Sequence, residues 1–235
     1  MAPVYNIAVL LYPNADILDF SGPVEIYTTD PPPGTPRAFH TTTFSHCNPV
    51  KASSGALTYI PDTTFSSIST RLADFDILLV PGAQPENITH LLSTDEGAQI
   101  LDLIKRFATL VPRKETGHRI LQSVCTGAMF LAAAGVLAGK EVTTHHLYLN
   151  EIVELADRAA GGEGLSGVKV VGRRWVDAGS SREGVRIVTA GGVSSGIDAS
   201  LWVVERLAGR EVAKWAGEVV EFEGRGEVGF GAGRE

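Results

Sequence analysis

The chain has 235 residues, of which 44% are hydrophobic and 20% charged, the balance of an ordinary globular protein long enough to bury a sizeable core. Its 20 basic against 27 acidic side chains give a net charge of −7. That implies no basic face for nucleic acid, and no stretch approaches the ~18 consecutive apolar residues of a membrane span. With only two cysteines, Cys47 and Cys125, and no basic-then-apolar leader at the N-terminus, a disulfide scaffold is not expected and a reducing, cytoplasmic setting is.

In chain order, residues 5–12 (YNIAVLLY) form a continuous apolar run closed by Pro13 and read as a buried parallel strand. Residues 14–22 read as a turn region carrying Asp16 and Asp19, with Pro23 opening a short helix to residue 28. Pro31-Pro32-Pro33-Gly34 is a loop, and the threonine-rich stretch 39–45 suits a strand. Residues 52–55 form a turn before a short strand at 57–60. Residues 75–80 are a second strongly buried strand, closed by Pro81-Gly82-Ala83. Helical spacing of Ile100, Leu101, Ile104 and Phe107 marks a helix over 97–107.

The most informative stretch is 119–135, RILQSVCTGAMFLAAAG. It reads as an apolar strand, a sharp turn and an alanine-rich helix starting at Thr126. Cys125 stands at the turn between Ser123 and Gly127, the small-x-nucleophile-x-small spacing that a nucleophile elbow needs. Free N–H groups and the positive end of the helix dipole are expected to favour the thiolate. A small buried structural cysteine is the competing reading. Cys47, between His46 and Asn48, reads as incidental.

Beyond the elbow, residues 141–145 read as a strand, 147–159 as a helix and 161–167 as a glycine-rich loop. A strand pair over 168–176 and 185–189 precedes a small-residue loop at 190–196, and helices are expected over 197–207 and 211–222. Strands alternate with helices throughout. The expected fold is therefore three-layer α/β with a mainly parallel sheet, in a single domain over residues 1–222 with a frayed glycine-rich tail at 223–235. In such sheets the site lies beyond the carboxyl ends of the strands, where Asp19, Gly82 and Cys125 would meet.

Asp19, flanked by Leu18 and Phe20, is a candidate proton donor if burial and a neighbouring thiolate keep it protonated. A turn or N-cap aspartate is the alternative. Asp16, read as lying in the exposed turn, and Glu25, early in the helix, are its rivals. Gly82 and Ala83 are small enough to turn backbone N–H groups toward a ligand. In Thr143-Thr144-His145-His146, adjacent histidines on a strand would point to opposite faces, so one of them, His145, is expected to line the pocket and no metal site is expected. The loop 190–196, which includes Val193, lacks the ending of a phosphate loop and the full dinucleotide fingerprint. It is expected to form a pocket wall, and no cofactor is implied.

The blocks LYPNADILDFSGPVEIY (11–27), ASSG (52–55), DILLVPGA (76–83), SVCTGAMFLAAAGVLAGKEVTTHH (123–146) and AGGVSSGIDASLWVVE (190–205) resemble the ThiJ/PfpI superfamily in content and order. That resemblance implies a flavodoxin-like fold of the class I glutamine-amidotransferase type. Within the superfamily, the Leu-Asp-x-x-Gly-Pro, Ser-Val-Cys-Thr-Gly and Gly-x-x-x-Gly-Ile-Asp blocks are most similar to isocyanide hydratases and to the sensor domains of AraC-type regulators. The resemblance implies Cys125 as nucleophile and Asp19 as the acid beside it, with Gly82, Ala83 and Thr126 supplying backbone donors around the sulfur. It also implies a homodimer acting on a small molecule.

Thr126 stands where the intracellular-protease branch has histidine, which argues against peptidase activity. Asp19 stands where the glyoxalase and deglycase branch carries glutamate. Too little chain follows Leu207 for a DNA-binding domain. The leading expectation is isocyanide hydration. Glyoxalase-type chemistry with His145 as base, or a non-catalytic small-molecule or redox sensor, are the alternatives.

Overall fold

The computed structural model describes residues 3–226. In chain order the elements are β1 (Tyr5–Leu10), α1 (Ile17–Thr28), β2 (Phe39–Ser45), β3 (Val50–Ala52), β4 (Leu57–Tyr59), β5 (Thr63–Thr64), α2 (Phe65–Thr70), β6 (Ile77–Val80), α3 (Pro85–Leu92) and α4 (Asp95–Ala108). There follow β7 (Ile120–Val124), α5 (Ala128–Ala133), β8 (Glu141–Val142), α6 (Leu149–Ala160), β9 (Lys169–Val170), β10 (Trp175–Ser180), β11 (Arg186–Ala190), α7 (Ser195–Ala208) and α8 (Arg210–Val219).

A seven-stranded sheet runs in the order β10-β11-β7-β6-β1-β2-β5. Its pairings are parallel except for the antiparallel β10–β11 edge. The inner strands are apolar on both faces because both faces are covered: Ile7, Ala8, Ile77, Leu78, Leu79 and Leu121 have no exposed surface. Helices α1, α7 and α8 pack together in one layer, and α3, α4, α5 and α6 in another. The three-layer α/β expectation is met, with a flavodoxin-like arrangement. Among the described residues, no helix is long and apolar enough to cross a membrane.

The chain leaves β1 for β2 on one side and returns to β6 on the other. The carboxyl ends of β1 and β6 therefore form a switch point, where an open α/β sheet has its natural crevice. The registers Val80↔Ser123 and Val124↔Ala190 bring the ends of β6, β7 and β11 level beside it.

Several local expectations are corrected. Helix α1 begins at Ile17, six residues before Pro23, which lies inside it. The buried Pro23 ring faces Gly196 of α7, so packing against a neighbouring helix outweighs the backbone hydrogen bond that the proline removes. Asp19 consequently sits in the first turn of a helix rather than in a loop. The strand expected over 141–145 stops at Val142, because the Thr143 N–H donates to the Thr189 hydroxyl at 2.9 Å and leaves the ladder. The long strand expected over 168–176 is split, with β9 pairing β8 in a small side sheet and β10 forming the edge of the main one. Helices α2 and α3 were not anticipated, while α4 lies close to its expected span. Of the tail expected at 223–235, residues 227–235 lie outside the described residues.

Candidate active site

Cys125 follows β7 directly and adopts φ 57°, a left-handed conformation that costs a non-glycine residue about 1–3 kcal/mol. The surroundings hold it there. Its N–H donates to the Gly191 carbonyl at 2.9 Å, and its carbonyl accepts from the Thr144 hydroxyl at 2.9 Å. A Cβ on Gly127 would stand 2.3 Å from the Val80 carbonyl oxygen, so the position two residues after the nucleophile has room only for glycine. The elbow read from the spacing is thus a real strained turn. The alanine-rich helix follows as expected but starts two residues later: a single tight turn over Cys125–Gly127 leads into α5, which has only six residues.

Asp19 reaches the same point from α1. Its side chain is fully buried, and Oδ2 accepts the Gly82 N–H at 2.9 Å. Oδ1 finds no protein donor at hydrogen-bond geometry, although the nearby thiol favours the carboxylate. Burial, then the charge of Asp16, push the Asp19 carboxyl well above the usual carboxylate range, against the pull of Gly82 and Cys125. The thiol is itself pushed up to about 12, first by burial and then by Asp19, while N–H groups of Thr126 and Val193 act the other way. Burial and the neighbouring carboxyl thus work against the thiolate expected from the elbow, where a six-residue helix contributes little field and the sulfur is only 3% exposed.

The donors around the sulfur also differ from expectation. The Gly82 N–H is spent on Asp19, and the Ala83 N–H donates to the Thr126 hydroxyl at 3.0 Å, which donates back to the Ala83 carbonyl at 2.5 Å. These two N–H groups orient the acid and the elbow, while Ala83 itself lines the cavity. Gly82 has no room for a side chain, since a Cβ would lie 2.5 Å from the Thr126 hydroxyl and 2.8 Å from Asp19 Oδ2. Thr126 and Val193 supply the N–H groups at the sulfur, and Val193 does so from a backbone at φ 32°.

Cys125, Ala83, Thr126, His145 and Val193 line one cavity of about 450 Å³. Its wall mixes Ile17, Leu18, Leu147, Tyr148 and Val193 with the polar Asp16, Ser53 and Gln84, and none of its lining residues is Lys or Arg. His145 and His146 do not point to opposite faces, because the chain there is no longer a strand; their rings stack 4.5 Å apart. Burial and the second imidazole hold His145 below the ordinary histidine range, and the Leu147 N–H donates to its Nδ1 at 3.3 Å, leaving the ring proton on Nε2. The ring lies over Gly192, where a Cβ would meet it at 2.7 Å, so the glycines of the loop 190–196 serve close backbone approach. A larger depression of about 680 Å³ between α7 and α8 contains Arg210, Lys214 and Glu218 but no nucleophile, and it lies away from the elbow.

Sequence reasoning missed Ile17, Leu18, Ser53, Gln84, Leu147 and Tyr148 as lining residues and misplaced Asp16. Asp16 is half-buried and faces the cavity, whereas Glu25 is exposed on α1. A signal for Asp16 was available: residues three apart at a helix start share a face, and Asp16 and Asp19 are three apart. Carboxylate oxygens of Asp16 and Asp19 and the Cys125 sulfur lie within 4.8 Å of one another. A metal ion held by the trio would need the thiolate, which burial and Asp19 oppose.

The profile of the DJ-1/PfpI family matches residues 6–206. The chain belongs to the DJ-1/PfpI family. Within the family it is 30% identical to an isonitrile hydratase of Pseudomonas putida over 209 residues, covering 89% of this chain and 75% of that protein. It is 23% identical to the protein DJ-1alpha of Drosophila melanogaster, again over 209 residues, covering 89% of this chain and 80% of the other. Among solved structures, a ThiJ/PfpI family protein from Pseudomonas syringae superposes with a TM-score of 0.68 at 23% identity, covering 99% of this chain and 80% of that one.

Proposed function

We propose that the protein hydrates isocyanides to N-substituted formamides, with Cys125 as nucleophile and Asp19 as the group that carries a proton to the substrate. The observation that carries this reading is the fully buried Asp19, its Oδ1 unpartnered, beside the elbow Cys125, which lines a cavity without Lys or Arg in its wall. The terminal carbon of an isocyanide must gain both a nucleophile and a hydrogen. As the Cys125 sulfur bonds to that carbon, the S–H bond breaks and its proton passes to Asp19, which in turn passes one proton to the same carbon and so ends protonated, leaving Cys125–S–CH=N–R. Water then adds across C=N, the C–S bond breaks, and formamide leaves as the thiol is restored. A lining without Lys or Arg suits a neutral, apolar substituent. The similarity to an isonitrile hydratase supports the same reading. A single domain, a homodimer and a cytoplasmic setting belong to this proposal.

The test is formamide production from an alkyl isocyanide. Turnover is expected in the native protein and abolished, by at least about 10³-fold, in Cys125→Ala. Turnover that survives Cys125→Ala removes the mechanism. His145, held neutral in the cavity, favours a second reading, proton transfer in a 2-oxoaldehyde bound to Cys125 as a hemithioacetal. Methylglyoxal consumed faster than isocyanide would select it. Peroxide oxidation of Cys125 with no turnover of either substrate would select a sensor.

A further inference from the structure

Asp16 occupies the N-cap position of α1, where an aspartate ordinarily turns back to accept a backbone N–H. Here it does not. Its side chain makes no capping hydrogen bond, and the Ile17 N–H donates instead to the Ser53 hydroxyl at 3.1 Å. The backbone of Asp16 is held on both sides, its N–H donating to the Gly82 carbonyl at 2.8 Å and its carbonyl accepting from the Asp19 N–H at 3.2 Å. The carboxylate so positioned lines the cavity, and among the described residues it has no hydrogen-bond or ion-pair partner. A carboxylate oxygen of Asp16 lies within 4.8 Å of both Asp19 and the sulfur. The two acids differ in environment: Asp19 is fully buried, with Oδ1 unpartnered, whereas Asp16 is half-buried and open to the cavity. Paired carboxyl groups with unequal surroundings divide acid and base roles between them.

We propose that Asp16 is a second catalytic carboxylate, which holds and deprotonates the water that attacks the Cys125-bound intermediate. This rests on the hydration reading above. In that half of the reaction the water oxygen bonds to the thioimidate carbon and one water proton passes to Asp16. The C=N electron pair moves to nitrogen, which takes a proton from Asp19. The resulting S–CH(OH)–NH–R then collapses: the hydroxyl proton returns to Asp19, the C–S bond breaks, and the sulfur recovers its proton from Asp16. Both acids and the thiol end as they began, and the sum is one isocyanide and one water giving one formamide. Burial raises the Asp16 carboxyl above its ordinary value, which suits a base that must later release the proton.

The experiment compares native protein, Asp16→Asn and Cys125→Ala in a rapid-mixing reaction with an alkyl isocyanide. Formamide is followed by NMR and the Cys125 adduct by intact-protein mass spectrometry. Asp16→Asn is expected to lose steady-state turnover by about 10²–10⁴-fold, the usual scale for a general base. It should still consume one equivalent of isocyanide and accumulate an adduct heavier by the substrate mass, absent from Cys125→Ala. As a second variant, Asp16→Ala is expected to regain formamide production when formate is added. Native-rate turnover in either Asp16 variant overturns the proposal, and so does loss of turnover without an adduct in both. If the native protein itself neither turns over isocyanides nor acquires an adduct, the hydration reading has failed, and the assignment of Asp16 falls with it.

Discussion

The residue that most shapes the site's energetics is Asp19. A fully buried carboxyl beside a second acid binds its proton more tightly in the folded chain than in the unfolded one, whose value is near ~3.9. The native state therefore binds more protons than the unfolded state as pH rises from about 4 toward the raised folded value, and stability is lost across that window. At neutral pH the ionisable group works against folding. Asp19→Asn keeps an acceptor for the Gly82 N–H and presents an amide to the sulfur, so it should gain stability at pH 7 of the order of 1 kcal/mol while losing turnover. The gain should vanish near pH 4, where both side chains are neutral. Urea unfolding at the two pH values measures this, and a variant less stable than the native chain at pH 7 contradicts it.

At the scale of elements, α7 is tied to the loop before β10 by a buried ion pair. Arg174 Nε and Nη2 approach Asp198 Oδ2 at 2.7 and 2.5 Å, with the two side chains 8% and 2% exposed. Oδ1 of Asp198 accepts the Arg225 N–H at 2.7 Å, so one aspartate also fastens the segment after α8. Asp198→Ala strands a buried guanidinium and should cost about 3–5 kcal/mol in urea unfolding. Replacing both partners by apolar residues of similar volume should recover most of that loss. A double variant no better than Asp198→Ala would show that the contacts of Asp198 other than Arg174 dominate. Element boundaries were less legible in the sequence than the elements themselves. Residues 5–12 and 75–80 announced buried strands through unbroken apolarity, whereas α1 was read six residues too short because Pro23 looked like a start. Nothing local says that a proline interior to a helix will face a glycine of another helix.

At the scale of the whole molecule, the site draws on chain from the end of β1 to the loop after β11, so it exists only while the central sheet is intact. The single-domain proposal follows from that shared sheet. Trp175 and Trp202 pack together at the β10 edge and Trp215 lies on α8, where its ring N–H donates to the Asp30 carbonyl, while far-UV circular dichroism samples every helix and strand. Unfolding followed by tryptophan fluorescence and by circular dichroism should give coincident urea midpoints. Separated transitions would mean that the β10 edge and α8 melt as a unit of their own.

The order of apolar runs and glycine turns determined the layered fold, and the small-x-cysteine-x-small spacing determined the elbow, because both are patterns between near neighbours in the chain. Asp19 was legible as a candidate for the same reason: it follows the first strand. The desolvation that opposes the Cys125 thiolate, the diversion of the Gly82 and Ala83 N–H groups, and the turning of Asp16 into the cavity were decided only by the tertiary structure. Each depends on desolvation and on approach between groups tens of residues apart, and these quantities arise only when β1, β6, β7 and β11 end side by side.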